Sequence, residues 1–297
     1  MAWHYTPQRS LERWVIPADP HAGSVWRYER GESKPRPIPP ARAAAESYLY
    51  APDSGPEAKD RRLEEWLSKN IDGPGSACID KLIAGSRLSE SEKDTVALYF
   101  GFQAARVPRV RDAVLEFATA LAHQELQQFA SQERKAVVSE LLRLDESIEE
   151  SQVDDFIERA RRGGPFFVEA SNVIWLHRLQ ADGRRIAAAI RHLPWKVVHA
   201  PEDVEFVSSD NPVATGTPPT YQGRIHPGWG VAGVEHTLPL DPKHVLFVAQ
   251  HAVGENITNL AQWCRDVVYR TCRQAQRYVF ARTQSRRIGW FLAEPML

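Results

Sequence analysis

The sequence has 297 residues, of which 43% are hydrophobic, so the chain can bury one large core or two modest ones. Its 37 Lys and Arg residues almost cancel its 38 Asp and Glu residues, which gives a formal net charge of -1 at pH 7. No overall charge therefore draws the molecule to nucleic acid or to an anionic membrane. Any contact with a polyanion has to be local.

The cysteines and the chain start indicate the compartment. Cys78, Cys264 and Cys272 are too few and too widely spaced for a disulfide framework or a thiolate zinc site. The first residues lack the basic-then-apolar pattern of a secretory signal, and no apolar run is long enough to span a membrane. We therefore expect a cytoplasmic protein with no membrane partner.

The residue pattern changes twice along the chain. Residues 1–57 are rich in Pro and Gly, which prevents long helices, but residues 24–28 alternate as a short strand does. From residue 58 to 195, apolar side chains recur every three or four positions, which predicts a helical body. Residues 196–297 show short strand patterns separated by turns, together with one helix.

Two helix boundaries are visible in the helical body. The first helix runs through Leu67 and Ile71 and is expected to stop at Gly73, where Gly73-Pro74-Gly75 interrupts the pattern. Ser89 with Glu92 three residues later matches a capping box and predicts a helix that reaches the region before Pro108. The other predicted helices are 110–121, 137–144, 166–192 and 256–273, and the other predicted strands are 195–199, 204–207, 245–249 and 278–281.

The arrangement of these elements predicts the fold class. A helical body between two strand-rich flanks indicates an α+β fold, in which the N- and C-terminal thirds pack together. We expect a single domain over residues 1–297, made of an arm (1–57), a helical body (58–195) and a strand-rich part with one helix (196–297).

Short motifs occur in a fixed order along nearly the whole chain. They are His4-Tyr5-Thr6-Pro7-Gln8 with Leu11 and Trp14 following, Val25-Trp26-Arg27-Tyr28, Gln103-Ala104-Ala105-Arg106-Val107-Pro108, Trp195, Ser209-Asp210-Asn211-Pro212 and Leu238-Pro239-Leu240-Asp241-Pro242. In this order they resemble the bacterial family called domain of unknown function 4238 (DUF4238). Two positions depart from the family pattern: Trp14 stands in place of Phe, and Ile71-Asp72 in place of Ile-Glu. The resemblance implies a shared fold and no established activity.

Three candidate catalytic residues belong to the first and fifth of these motifs. His4 lies in the arm, and an imidazole with a pKa near neutrality suits a general acid or base, or a metal ligand. Asp210 follows the predicted strand 204–207, where a strand end can aim a carboxylate into a cleft. Asn211 precedes Pro212, which restricts its backbone. A structural reading stays open for all three, since His4 can tie the arm to the core and the Asp-Asn pair suits an Asx turn.

Gln103 and Arg106 are candidate substrate-binding residues. Gln103 falls on the apolar stripe of its helix, so its amide needs partners. Arg106 could hold a phosphate or carboxylate ligand through two parallel hydrogen bonds. The alternative is a structural ion pair, with Asp210 or Glu64 as partner, that ties the helical body to the arm.

The sequence leaves the cofactor unknown, and a divalent metal ion is a weakly supported option. His226, His236, His244 and His251 raise the question of a divalent metal ion, but none shows the spacing of metal ligands. The chain also lacks a Gly-rich phosphate loop ending in Lys-Ser/Thr, a dinucleotide fingerprint, a Gly-x-Ser-x-Gly turn and a His-Glu-x-x-His helix.

Two functions therefore stay open. In the first, the chain is a phosphodiester hydrolase acting on a nucleic acid or nucleotide, as a nuclease of a toxin or phage-defence system would. His4 would act as acid or base, Asp210 would orient it or a metal ion, and Arg106 would hold the phosphate that Gln103 and Asn211 position. This hypothesis requires His4, Arg106 and Asp210 to share one accessible cleft. In the second, the chain is a non-catalytic ligand-sensing or partner-binding module, whose polar residues fix the arm to the C-terminal strands.

Overall fold

The computed structural model describes residues 2–47, 49, 62–145, 147–162, 170–217, 228–250 and 259–294. The chain divides into two compact units, of which the first comprises Met1–Val110 and Leu176–Leu297 and the second Arg111–Trp175. The expectation of a single domain stays a prediction.

The strands of the described residues are short. In chain order they are β1 (Ala2–His4), β2 (Val25–Glu29), β3 (Arg36–Ile38), β4 (Ala45–Ser47), β5 (Trp195–His199), β6 (Ser208–Ser209), β7 (Ala214–Gly216), β8 (Glu235–Pro239), β9 (His244–Ala249) and β10 (Tyr278–Ala281). Among these residues they form a β1-β4 pair and two four-stranded antiparallel sheets, ordered β3-β2-β10-β6 and β5-β9-β8-β7. The predicted strands at 24–28, 195–199, 245–249 and 278–281 are confirmed.

The longer helices lie in the middle of the chain and in its last third, and two four-residue helices lie in the first third. They are α1 (Gln8–Leu11), α2 (Pro40–Ala43), α3 (Arg62–Leu67), α4 (Gly73–Ile83), α5 (Glu90–Ala105), α6 (Pro108–Ala130), α7 (Arg134–Leu144), α8 (Glu150–Arg161), α9 (Asn172–Arg191), α10 (Leu260–Gln274) and α11 (Arg286–Ala293), with a 3-10 turn at Glu12–Trp14. Helices and antiparallel sheets together make an α+β fold, as predicted. The predicted helix starts at 166 and 256 lie outside the described residues.

The sheet β3-β2-β10-β6 joins the two ends of the chain. Val279 of β10 lies opposite Tyr28 on one side and Ser209 on the other. Tyr28 and Val279 belong to one buried apolar cluster, which also contains Cys272 and Ile288 from the C-terminal helices. The prediction that the N- and C-terminal thirds pack together is therefore confirmed.

The predicted strand at 204–207 is wrong. The regular strand β6 begins only at Ser208, and the preceding backbone takes part in a loop contact, in which the Phe206 N–H donates to the carbonyl oxygen of Pro242 at 2.9 Å. Phe206 is nevertheless 1% exposed. The apolar pattern of this segment thus reports burial, and strand pairing does not follow from burial alone.

The predicted stop at Gly73-Pro74-Gly75 is also wrong. Helix α3 passes through a π-helical turn at Ser68–Asp72 directly into α4, which begins at Gly73. Pro74 is tolerated because it lies in the first turn of α4, where its missing N–H has no helical partner to lose. Gly75 is required by packing, since a Cβ there would overlap the ring of Tyr99.

The predicted capping box at the start of α5 is confirmed. The Ser89 Oγ accepts the N–H of Glu92, and the Glu92 carboxylate accepts the N–H of Ser89 at 2.8 Å. Further along α5, Gly101 faces Gly183 of α9 so closely that a Cβ at Gly101 would overlap the Gly183 carbonyl oxygen. This close crossing fixes the position of the last turn of α5, which carries Gln103 and leads into Arg106.

The second unit has its own small core. Val137 of α7 packs with Val153 and Ile157 of α8, and partly buried side chains of α6 and α7 cover them.

In the parts of the chain that the structure describes, no helix combines the length and hydropathy needed to cross a membrane. The cytoplasmic location stays a prediction. All three cysteines are buried and have free thiols.

Candidate functional site

Asp210 follows β6 and holds the backbone that leads into β10. Its Oδ1 accepts the N–H of Gln276 at 2.8 Å, and its Oδ2 accepts the N–H groups of Arg277 and Tyr278 at 2.6 and 2.8 Å. The Asp210 N–H in turn donates to the carbonyl oxygen of Tyr278 at 3.0 Å. Because Asp210 is 3% exposed, both carboxylate oxygens serve the protein backbone.

Two opposing effects act on the ionisation of Asp210. Burial raises the pKa of Asp210 to about 6, while the three backbone N–H donors act to lower it. The Arg30 guanidinium also favours the charged form; it donates to the carbonyl oxygens of Ala275 and Gln276 at 2.9 and 3.2 Å. The carboxylate is thus held by a network that orders the turn after α10.

Asn211 extends this network to the end of α10. Its side-chain N–H₂ donates to the carbonyl oxygen of Gln274, the last residue of α10, at 3.0 Å. Its backbone N–H donates to the Oγ of Ser209 at 3.1 Å. Together Ser209, Asp210 and Asn211, bound to residues 274–278, form what we call the Asp210 clasp. The Asp210 clasp thus gives acceptors to the backbone N–H groups that follow α10 and a donor to the carbonyl oxygen of Gln274.

His4 lies in β1 and faces the helical body. Its Nε2 is 3.1 Å from the carbonyl oxygen of Ala41, and its Nδ1 is 3.7 Å from Oε1 of Glu64. The side chains of His4 and Glu64 are 23% and 20% exposed. The neighbouring Glu64 carboxylate is the main cause that raises the pKa of His4. This His4–Glu64 pair can hold or transfer a proton near neutral pH.

Arg106 caps the end of α5 and binds a carboxylate of the π-helical turn. Its Nη1 and Nη2 donate to the two oxygens of Asp72 at 3.0 and 2.7 Å. The Arg106 side chain is 1% exposed and that of Asp72 19%. From the sequence we expected Asp210 or Glu64 as the ion-pair partner of Arg106. The structure shows that the bidentate partner is Asp72, at the position where the family pattern has Glu. The planar guanidinium that was predicted to hold a phosphate is thus occupied by an internal carboxylate.

Gln103 lies one turn before Arg106 and is 1% exposed. Its position on the buried stripe of α5 agrees with the sequence pattern. Its side-chain Nε2 has no hydrogen-bond partner among the described residues, and the same holds for the Oγ of the fully buried Ser76 in α4. Buried donors of this kind are commonly met by ordered water.

The N-terminal arm lies close to both the Asp210 clasp and Arg106. Thr6 donates through its hydroxyl to the carbonyl oxygen of Ser209 at 3.4 Å. Burial, and after it the charge of Asp210, raises the pKa of Tyr5. Arg106 is near enough to His4 to oppose the rise in the pKa of His4. The side chains nevertheless face different partners, and Arg106 and Asp210 are too deeply buried to line an accessible cleft with His4.

The family model described as Protein of unknown function (DUF4238) matches residues 3–285, which is nearly the whole chain. The chain belongs to the DUF4238 family. No curated protein and no solved structure matches it. The segments that carry the resemblance are, in this DUF4238 member, those of the Asp210 clasp, the arm and the end of α5.

The described residues of this DUF4238 protein contain no group of three His, Cys, Asp or Glu side chains that could hold a metal ion. His244 contacts the carboxylate of Asp241 through Nδ1 at 2.9 Å, and His236 is fully buried beside the hydroxyl of Thr215. His226 and His251 lie outside the described residues.

Sequence reasoning missed two members of the Asp210 clasp region in this DUF4238 protein. The Gln274 side chain bonds to both the N–H and the carbonyl oxygen of Thr215, at 2.9 and 2.6 Å. The Arg30 guanidinium donates hydrogen bonds to carbonyl oxygens at the ends of α10 and α11, among them that of Glu294 at 2.7 Å. Neither residue has a signal in its local sequence, because the partner of Gln274 lies on β7 and the partners of Arg30 lie at the ends of α10 and α11, all far away along the chain.

Proposed function

We propose that this DUF4238 protein is a non-catalytic ligand-sensing or partner-binding module, in which polar residues hold the N-terminal arm and the C-terminal strands in place. The observation that carries this proposal is the Asp210 carboxylate, which accepts three backbone N–H groups and is 3% exposed. A carboxylate in this state contributes to backbone order and offers no oxygen to a substrate.

The state of Arg106 supports the same proposal. Phosphoryl transfer depends on cationic groups that can neutralise the developing charge on the phosphate. Arg106 is 1% exposed and already bonded through both terminal nitrogens to Asp72. A substrate phosphate would have to displace the Asp72 carboxylate from a guanidinium that is 1% exposed, which is costly because breaking a buried ion pair destabilises the fold.

The proposal is tested on the purified full chain. We expect no turnover of RNA, DNA or nucleotides above the buffer rate, with or without Mg²⁺ or Mn²⁺. His4→Ala and Asp210→Ala are expected to lower the melting temperature. A wild-type hydrolytic activity that either variant abolishes at an unchanged melting temperature would overturn the proposal.

A phosphodiester hydrolase is the second candidate, favoured by the His4–Glu64 pair. Both side chains keep about a fifth of their surface exposed, and Glu64 raises the pKa of His4, so His4 can donate a proton near neutral pH. In this form the reaction would use His4 as general acid without Asp210. Glu64→Gln should then lower the rate of hydrolysis and shift its pH profile to more acidic values. If the pair is merely structural, the wild type shows no hydrolysis and no such pH profile can be measured.

A further inference from the structure

A groove of about 630 Å³ lies between residues 202–207, α10 and α11. Its floor includes the buried side chains of Val207, Ala281 and Ile288. This volume is in the range of small-molecule sites in proteins, which are mostly apolar with a few polar groups. The groove is separate from the Asp210 clasp and the His4–Glu64 pair.

One wall of the groove is aromatic. Tyr269 and Phe291 meet edge to face, with ring centroids 5.0 Å apart. Trp290, which directly precedes Phe291 in α11, lines the groove and is 67% exposed. An exposed Trp ring is the strongest aromatic partner of an organic cation, because its face carries negative potential.

The charges around the groove favour a cation as well. Its lining has four carboxylates against two guanidinium groups, those of Arg265 and Arg287. Asp203 binds Arg265 at 2.6 Å, and Glu205 binds Arg282 and Thr283. The other two carboxylates, of Glu202 and Asp266, have no cationic partner within salt-bridge distance among the described residues; Asp266 accepts only from the Gln262 amide, at 2.9 Å. These two carboxylates stand against the one remaining guanidinium of the lining, that of Arg287, so the groove keeps an excess of one negative charge, which favours a cation over an anion.

We infer that this groove binds an organic cation with an apolar, aromatic body. The apolar part lies on Val268 and Phe291, the positive charge lies near Trp290, and the carboxylates of Glu202 and Asp266 give the preference for a cation. This inference rests on the proposed binding function and names its ligand class.

The experiment uses two probes of the same shape and opposite charge, tetraphenylphosphonium and tetraphenylborate, titrated calorimetrically into the full chain in sodium buffer. We expect tetraphenylphosphonium to bind with a Kd below about 0.5 mM and tetraphenylborate to bind at least about tenfold more weakly. Equal binding of the two ions, or no binding of tetraphenylphosphonium, would overturn the inference.

Variants place the bound probe in the groove. Trp290→Ala should weaken tetraphenylphosphonium binding about tenfold. The matched control is Phe117→Ala on α6, because Phe117 is 65% exposed and lies outside the groove. Glu202→Gln and Asp266→Asn should each weaken binding about threefold, whereas Glu125→Gln, at an exposed position of α6, should leave it unchanged. Equal losses in the variants and their controls would show nonspecific binding and refute the site.

The two proposals fail in different ways. Hydrolysis of a phosphodiester by the wild type would overturn the proposed function whether or not the groove binds a cation. Absence of tetraphenylphosphonium binding, with melting temperatures that respond to Asp210→Ala as expected, would overturn only the groove.

Discussion

Replacing Asp210 by Ala removes the acceptor of three backbone N–H groups at once. Each hydrogen bond to a charged acceptor contributes about 1.5–3 kcal/mol, so the gross loss is about 4–9 kcal/mol. Burial raises the pKa of Asp210 to about 6 even with these three donors in place, so removing the buried charge offsets part of the loss. We therefore expect a net loss below this gross range, about 3 kcal/mol in the free energy of unfolding, because three buried N–H groups are left without their acceptor.

The assay is thermal and urea denaturation at pH 7. A loss of about 3 kcal/mol corresponds to a fall of about 6–12 °C in melting temperature. The melting temperature of Asp210→Asn should fall less than that of Asp210→Ala, because Asn keeps one carbonyl oxygen for the N–H groups of residues 276–278. The control is Asp154→Ala, which removes an exposed ion pair with Arg134 and should cost less than about 1 kcal/mol. An Asp210→Ala protein that melts within 2 °C of the wild type would refute this reasoning about the Asp210 clasp, an interval set by the expected shift.

Three further predictions concern the helical body and the arm. Arg106→Lys replaces a fork of two bonds to Asp72 by a single point contact in a buried site, and we expect a loss of about 2–4 kcal/mol in urea denaturation. Glu64 raises the pKa of His4, so the pair stabilises the folded chain fully below the ordinary pKa of 6.5 and loses this contribution as the pH rises through the folded-state pKa. The stability difference between wild type and Glu64→Gln should therefore shrink from acidic to alkaline pH. Gly101→Ala forces α5 away from α9 and should cost about 3 kcal/mol or more by thermal denaturation.

Each of these predictions has a matched control or a contradicting result. Arg134→Lys changes an exposed pair and should cost less than about 1 kcal/mol; an equal loss at both arginines would show that burial of Arg106 is irrelevant. A stability difference for Glu64→Gln that grows with pH would reverse the sign of the argument about His4. Gly289→Ala in α11 meets no neighbouring atom and should stabilise the chain by up to about 1 kcal/mol, through helix propensity. If Gly101→Ala behaves like Gly289→Ala, the helix crossing is looser than described.

Much of the fold was predictable from signals that lie within a few neighbouring residues. Contacts between residues far apart in the sequence were not predictable. The Ser89 capping box was predictable because both of its hydrogen bonds lie within four residues. The strand at 278–281 was predictable from its composition, but its neighbours in the sheet were not. Residues 204–207 look like a strand because three of the four are apolar, and only the contact of Phe206 with Pro242 shows that they form a buried loop.

The site residues show the same limit. His4, Arg106 and Asp210 were identified as polar side chains in apolar or restricted surroundings, and burial of Arg106 and Asp210 agrees with this. Their partners were not predictable, because a carboxylate suits a substrate, a metal ion or a backbone turn equally well until its neighbours are known. The Asp72 partner of Arg106 depends on the π-helical turn, for which the sequence has no recognised signal.

The strand order β3-β2-β10-β6 has a consequence for synthesis of the chain. Arg277 and Glu29 pair across this sheet although 248 positions separate them. At about 5–20 residues per second, the ribosome produces this interval in roughly 12–50 s, and β2 waits that long for its partner on one edge. During this time the unpaired edge of β2 is open to a chaperone or to another nascent chain. A nascent chain arrested before residue 278 should therefore be cut readily by proteases at its N-terminal third, and release of the remaining residues should protect it.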